Sequence, residues 1–135
     1  MILVIGGYAQ GKLEYVKEKY QTGGDDIFDF EVEDIAELER YSDGLFSDRQ
    51  IILNNINSLI KKELDDGKDP EELLGNILSK FNNVIIITDE VGNGIVPIDK
   101  NERIYREKTG RFQCMLAQNA DEVIRVTCGV GQRIK

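Results

Sequence analysis

The chain opens on an apolar run, Ile2 to Ile5, that passes directly into Gly6-Gly7-Tyr8-Ala9-Gln10-Gly11-Lys12 and then into a stretch of helical period. This order of strand, glycine loop and helix is the strongest constraint on the fold. It matches most of the phosphate-loop pattern G-x-x-x-x-G-K-[ST], in which glycines let backbone N–H groups curl around phosphate oxygens, the lysine reaches the outer phosphates and the last hydroxyl ligates Mg²⁺. The hydroxyl position is Leu13 here. The bland alternative is a glycine-rich strand-to-helix turn. Placement after a buried-strand pattern, and before Leu13, Val16 and Tyr20 on one helical face, favours the phosphate loop. The candidate nucleotide-binding residues are Gly6, Gly7, Tyr8, Ala9, Gln10, Gly11, Lys12 and Leu13.

Further short, mostly β-branched runs occur at Ile51 to Leu53, Val84 to Ile87 and Val123 to Val126, with a weaker edge candidate at Ile27 to Phe30. They read as buried parallel strands. Helical patterns separate them: Ile35, Leu38 and Tyr41; Leu59, Ile60 and Leu64; and a helix opening at Asp69-Pro70-Glu71-Glu72, with Asp69 as N-cap, Glu72 completing a capping box, and Leu73, Leu74, Ile77, Leu78 and Phe81 as its buried face. A longer helix from about Asp99 to Gln118 carries Ile104, Tyr105, Thr109, Phe112, Met115 and Leu116, with Asn119 as a left-handed terminator. The predicted fold is α/β: a P-loop NTPase-like, doubly wound, mostly parallel sheet of about five strands flanked by helices, with residues 1–135 forming a single P-loop nucleotide-binding domain. Ligands bind such a sheet beyond the carboxyl ends of its strands. That places function at Gly6 to Leu13, Asn54-Asn55, Thr88 to Pro97 and Cys128 to Gln132.

Composition narrows the chemistry. Seventeen basic against 25 acidic residues give a net charge of −8, which removes the electrostatic drive toward nucleic acid or anionic membranes. No apolar run approaches a membrane span and the N-terminus lacks a signal peptide's basic flank, so a soluble, cytoplasmic chain is expected. There is no histidine. This excludes histidine acid-base chemistry, histidine-activated nucleophiles and a covalent histidine intermediate. Cys114 and Cys128 are expected to be buried, reduced thiols, and no protein metal cluster is predicted.

The third strand ends at Asn54-Asn55, where phosphate-loop proteins commonly place an acid that holds Mg²⁺ or its water. An amide can accept a hydrogen bond from metal-bound water but supplies no charge. With Leu13 also unable to coordinate, Mg²⁺ would be held mainly by the nucleotide, unless Asp89 or Glu90 supplies the missing carboxylate. Thr88 to Pro97 contains Gly92, Asn93 and Gly94 and reads either as a shaped loop lining a cleft or as a turn with solvated acids. The terminal Gly129-Val130-Gly131 stretch either passes near a bound base or starts a hairpin.

Thr88 to Pro97 with its Glu90-Val91-Gly92-Asn93-Gly94-Ile95-Val96-Pro97 string, Thr109 to Gln113, Ala120 to Val123 and Gly129 to Lys135 together resemble the bifunctional adenosylcobinamide kinase and adenosylcobinamide-phosphate guanylyltransferase family of cobalamin biosynthesis, the CobU type. The run Ile2 to Lys12 is similar to that family's phosphate loop. The resemblance implies ATP or GTP as cofactor with Mg²⁺, a corrinoid substrate phosphorylated on its aminopropanol hydroxyl, and guanylyl transfer through a histidine. It also implies a trimeric homo-oligomer. It makes Gly6, Gly7, Gly11 and Lys12 phosphate-binding and places Asp89, Glu90 and Gly92 along the cleft. The candidate catalytic residues of a kinase are Lys12, stabilising the transferred phosphate, and Asp89 or Glu90, assisting the metal or the acceptor hydroxyl. Three departures bear on catalysis: the missing histidine in a short segment from Glu31 to Gln50, Leu13, and Asn54. Two readings follow: a small cobinamide kinase-like phosphotransferase, or a catalytically degenerate nucleotide-binding or assembly module.

Overall fold

The computed structural model describes residues 1–22, 26–42, 50–92 and 97–135, the side chains at 39, 41, 42, 73, 74, 76 and 77 excepted. Along the chain run β1 (Ile2–Gly6), α1 (Lys12–Tyr20), β2 (Ile27–Asp29), α2 (Ile35–Ser42), β3 (Ile51–Asn54), α3 (Ile56–Asp65), α4 (Pro70–Lys80), β4 (Val84–Asp89), α5 (Lys100–Asn119), β5 (Glu122–Thr127) and β6 (Val130–Arg133). The strands form one sheet in the order β2-β3-β4-β1-β5-β6, parallel throughout except for β6, which runs antiparallel to β5. The doubly wound, mostly parallel sheet is as the sequence predicts, with β2 at an edge. It has six strands rather than about five. The extra strand comes from the C-terminal stretch, where Cys128 (φ 51°) and Gly129 (φ 77°) give the paired positive φ values of a two-residue hairpin turn.

Strand alternation explains the layering. Leu3, Ile51, Leu53, Val84, Ile86 and Val123 point to one face and pack with Ile56, Leu59 and Ile60 of α3, Phe112 and Leu116 of α5, and Leu38 of α2. Val4, Ile52, Ile85, Ile87, Ile124 and Val126 point to the other and pack with Val16 of α1, with Leu13 and Tyr20 partly buried beside it. Each such aliphatic side chain, at or near zero exposure, contributes about 1.5–3 kcal/mol over its exposed state. A one-residue slip of any strand would exchange its two faces, so both clusters together hold the register. The register therefore also fixes which side chains stand together at the strand ends.

The helix ends show where local chemistry differs from the pattern. Asp69 caps α4 by accepting a hydrogen bond from the Glu71 N–H at 3.1 Å, rather than from Glu72. A reciprocal capping box instead opens α2, with Glu37 N–H to Asp34 Oδ1 at 3.1 Å and Asp34 N–H to Glu37 Oε2 at 3.4 Å. Asp69→Ala should destabilise the fold by about 1 kcal/mol, a drop of a few degrees in melting temperature measurable by calorimetry. Asn119 is not a left-handed terminator. It ends α5 inside the helix, its Nδ2 donating to Met115 O at 2.9 Å, and the chain leaves through Ala120 in extended conformation, because β5 begins almost at once. Ile104 is 40% exposed, at a groove between α3 and α5. Leu78 of α4 is half-buried and Phe81 buried, whereas Leu73, Leu74 and Ile77 lie outside the described side chains, as does Tyr41. Cys114 and Cys128 are free and exposed rather than buried, one on the outer side of α5 and the other in the hairpin turn. Among the described residues no helix is long and apolar enough to cross a membrane.

Candidate nucleotide-phosphate site

The loop after β1 is shaped by its neighbours. Gly6 is pressed against β5, and a Cβ there would run into the Val126 carbonyl oxygen, well inside van der Waals contact. Ala9 (φ 54°) and Gly11 (φ 76°) are both left-handed, curling the backbone into the kind of concave turn whose N–H groups receive anions. Gly11 is also the N-cap of α1, so the loop opens onto the positive end of a helix. The hairpin turn holds the loop from outside, since Gly129 N–H donates to Gln10 O at 2.9 Å and Cys128 N–H donates to Gln10 Oε1 at 2.8 Å. Gly131 leaves room for the Tyr15 ring, which a Cβ would strike.

Lys12 lies at the base. Its Nζ donates to Gly7 O at 2.8 Å and to Asp89 Oδ1 at 2.5 Å, with the lysine side chain 7% and the aspartate 17% exposed. Asp89 comes to this place because β4 pairs with β1 and the register sets Gly6 opposite Asp89. Its backbone is fixed from two sides, by its N–H on Asn57 Oδ1 at 3.2 Å and its carbonyl accepting from Gln113 Nε2 at 2.6 Å. A buried ammonium requires such a partner. Within the chain, Asp89 is the counter-ion of the phosphate-loop lysine.

Across the site stand the ends of β2 and β3. Asp29 accepts from Asn54 Nδ2 at 2.9 Å, Asn55 Nδ2 at 2.8 Å and Glu31 N–H at 3.0 Å. Burial opposes its ionisation, but the hydrogen bonds from Asn55, the Glu31 N–H and Asn54, together with the Lys62 charge, outweigh that and hold the carboxyl below its ordinary value. Sequence reasoning missed Asp29, which lay within the weaker edge-strand candidate Ile27 to Phe30. The available signal was a carboxylate at the end of one strand facing two adjacent amides at the end of the next.

Tyr8, Ala9, Gln10, Gly11, Lys12 and Leu13 line a cavity of about 240 Å³ that Asn54, Asn55 and Asp89 also line. Gly6 and Gly7 start the loop beneath it. Tyr8 is 80% exposed at its rim. Leu13, in the hydroxyl position, is half-buried against the α1-side core, so it offers no ligand oxygen. Glu90 goes elsewhere. Its carboxylate grips the Arg125 guanidinium through two bonds, 2.7 Å and 2.9 Å, beside a second cavity of about 400 Å³ lined by Ile5, Val91, Gln113 and Ile134. The structure therefore joins Lys12 with Asp89 and separates Glu90 from both. Gly92 adopts φ 133°, and Asn93 and Gly94 lie outside the described residues. Among the described residues no group of three or more acids, cysteines or histidines could hold a metal. Were Mg²⁺ to enter with a nucleotide, the oxygens lining this cavity that could meet it or its waters are those of Asp89, Asn54 and Asn55, a set that would suit an ion keeping most of its water.

Comparison with known proteins identifies the family. Residues 31–134 match the family described as cobinamide kinase / cobinamide phosphate guanyltransferase. The bifunctional adenosylcobalamin biosynthesis protein CobU of Salmonella typhimurium (strain LT2) is 46% identical over 52 residues, and its Escherichia coli K12 counterpart is 44% identical over 52 residues. Each matched segment covers 38% of this chain and 29% of the relative. The candidate phosphate loop precedes the residues of the family match. From α2 to β6 the fold, including Asn54, Asn55 and Asp89, falls within that match, and the chain belongs to the cobinamide kinase / cobinamide phosphate guanyltransferase family.

Proposed function

We propose that the chain binds ATP or GTP by its phosphates through Tyr8 to Leu13 and transfers the terminal phosphoryl group to the aminopropanol hydroxyl of adenosylcobinamide. The observation that carries this reading is the Lys12–Asp89 pair at the floor of the loop cavity. Phosphoryl transfer requires positioning and charge stabilisation but no covalent protein intermediate. Loop N–H groups and the α1 terminus hold the phosphates. Lys12, drawn from Asp89 onto the outer phosphate oxygens, offsets charge as the group moves. The released Asp89 carboxylate is then beside the reacting groups, placed to take the proton of the acceptor hydroxyl. Mg²⁺, when bound with the nucleotide, supplies further charge neutralisation. Glu90, committed to Arg125, shapes the neighbouring wall instead. The absence of histidine confines the reading to phosphoryl transfer.

Leu13 and Asn54 favour a second reading, a nucleotide-binding or assembly module without turnover, since both occupy positions where metal ligation would be supplied. The deciding experiment follows labelled γ-phosphate from ATP and from GTP to adenosylcobinamide in the presence of Mg²⁺, with nucleotide binding measured alongside. Labelled cobinamide phosphate is the expected product. Nucleotide binding without transfer would overturn the kinase reading in favour of the module.

A further inference from the structure

The three side chains at the ends of β2 and β3 carry more than an ordinary polar cluster would. A carboxylate only accepts hydrogen bonds, so Asn54 and Asn55 must both turn their amide nitrogens toward Asp29, and both do, at 2.9 Å and 2.8 Å. The acceptor each has left is its amide oxygen. Both residues line the phosphate cavity. Asn55 in addition holds a left-handed conformation (φ 56°, ψ 43°) at the N-cap of α3 yet makes no side-chain cap bond there. Its amide gives up the role asparagine commonly plays at a helix start.

The cavity thus has two unlike walls. One, the loop with Lys12, presents donors and positive charge to phosphate oxygens. The other presents acceptor oxygens backed by a carboxylate, and Glu31, two residues beyond Asp29, also lines it. The carboxylates behind and beside this second wall repel a phosphate oxygen, whereas a cation whose bound waters donate hydrogen bonds suits it. Mg²⁺ dehydrates reluctantly and commonly keeps several waters.

We propose that Asp29 is a positioning residue for a hydrated Mg²⁺–nucleotide complex: through their amide nitrogens it turns the oxygens of Asn54 and Asn55 toward the metal's waters and supplies from β2 the charge that the end of β3 lacks. The inference rests on the nucleotide-binding reading above. Polarised by the carboxylate, each amide oxygen becomes a better acceptor.

The test is calorimetric binding of a non-hydrolysable ATP or GTP analogue, with Mg²⁺ and with EDTA, to the natural chain and two variants. The natural chain should bind about tenfold more tightly with Mg²⁺ than without. Asp29→Asn should lose most of that gain while its metal-free affinity is kept, and adding Asn54→Asp to that variant should restore it. Asn55→Gly suits the left-handed backbone, so it keeps the fold and still loses part of the gain, which leaves the proposal testable should Asp29→Asn fail to fold. A full Mg²⁺ gain in a folded Asp29→Asn or Asn55→Gly protein would overturn the proposal. Nucleotide binding that ignores Mg²⁺ in the natural chain would overturn it alone, whereas no nucleotide binding in either condition would overturn the phosphate-site reading as well.

Discussion

Lys12→Ala is expected to lower phosphoryl transfer by about a hundredfold to a thousandfold and to weaken nucleotide binding, because one charged donor aimed at developing charge is worth about 3–4 kcal/mol in a water-poor site. The same substitution leaves the Asp89 carboxylate buried without its partner, which should also destabilise the fold by a few kcal/mol. These two consequences can be separated. In Lys12→Ala/Asp89→Asn the orphan charge is gone, so thermal stability should recover toward that of the natural chain while nucleotide binding stays weak. Melting temperature and nucleotide affinity measured on the same three proteins check it. Recovery of affinity along with stability would show that Lys12 acts through folding rather than on phosphate.

Gly6→Ala is expected to cost about 3 kcal/mol and to lower the melting temperature by roughly 10 °C. The added Cβ meets the Val126 carbonyl oxygen at a separation no real Cβ tolerates. That obstacle is backbone in a strand adjacent to β1, not the end of a flexible side chain, so relief requires parting β1 from β5 where the loop begins. Gly75 and Gly110 are the controls. They lie in α4 and α5 with nothing within 4 Å of where an alanine methyl would stand, and alanine there should stabilise by about 0.5–1 kcal/mol through helix propensity. Denaturant melts of the three variants would check the sign at each position. A Gly6→Ala protein as stable as the natural chain would mean that the sheet yields at this point.

The central strands β1, β3 and β4 were legible because each is a short, uninterrupted and mostly β-branched apolar run with buried residues on both faces, a pattern helices do not share at that length. β6 was not. Val130-Gly131-Gln132-Arg133 is mostly exposed, and its pairing depends on a turn that puts Cys128 at positive φ, which nothing in a cysteine announces. The loop and its lysine were legible as a spacing. Which of two adjacent acids joins the lysine was open to the rule that successive strand residues face opposite ways: Asp89 goes to Lys12 and Glu90 to Arg125. Asp29 could not be found that way. Its partners lie on another strand, and only the register that sets Asp29 beside Asn54 brings them together.

The two bonds from the hairpin turn to Gln10 give the C-terminus a timekeeping role. The amide protons of Cys128 and Gly129 are both spent on the loop, in an otherwise exposed turn. Such protons exchange with solvent only while these bonds are open, so the exchange of two backbone amides more than a hundred residues away in sequence records what fraction of the time the loop is released from the turn.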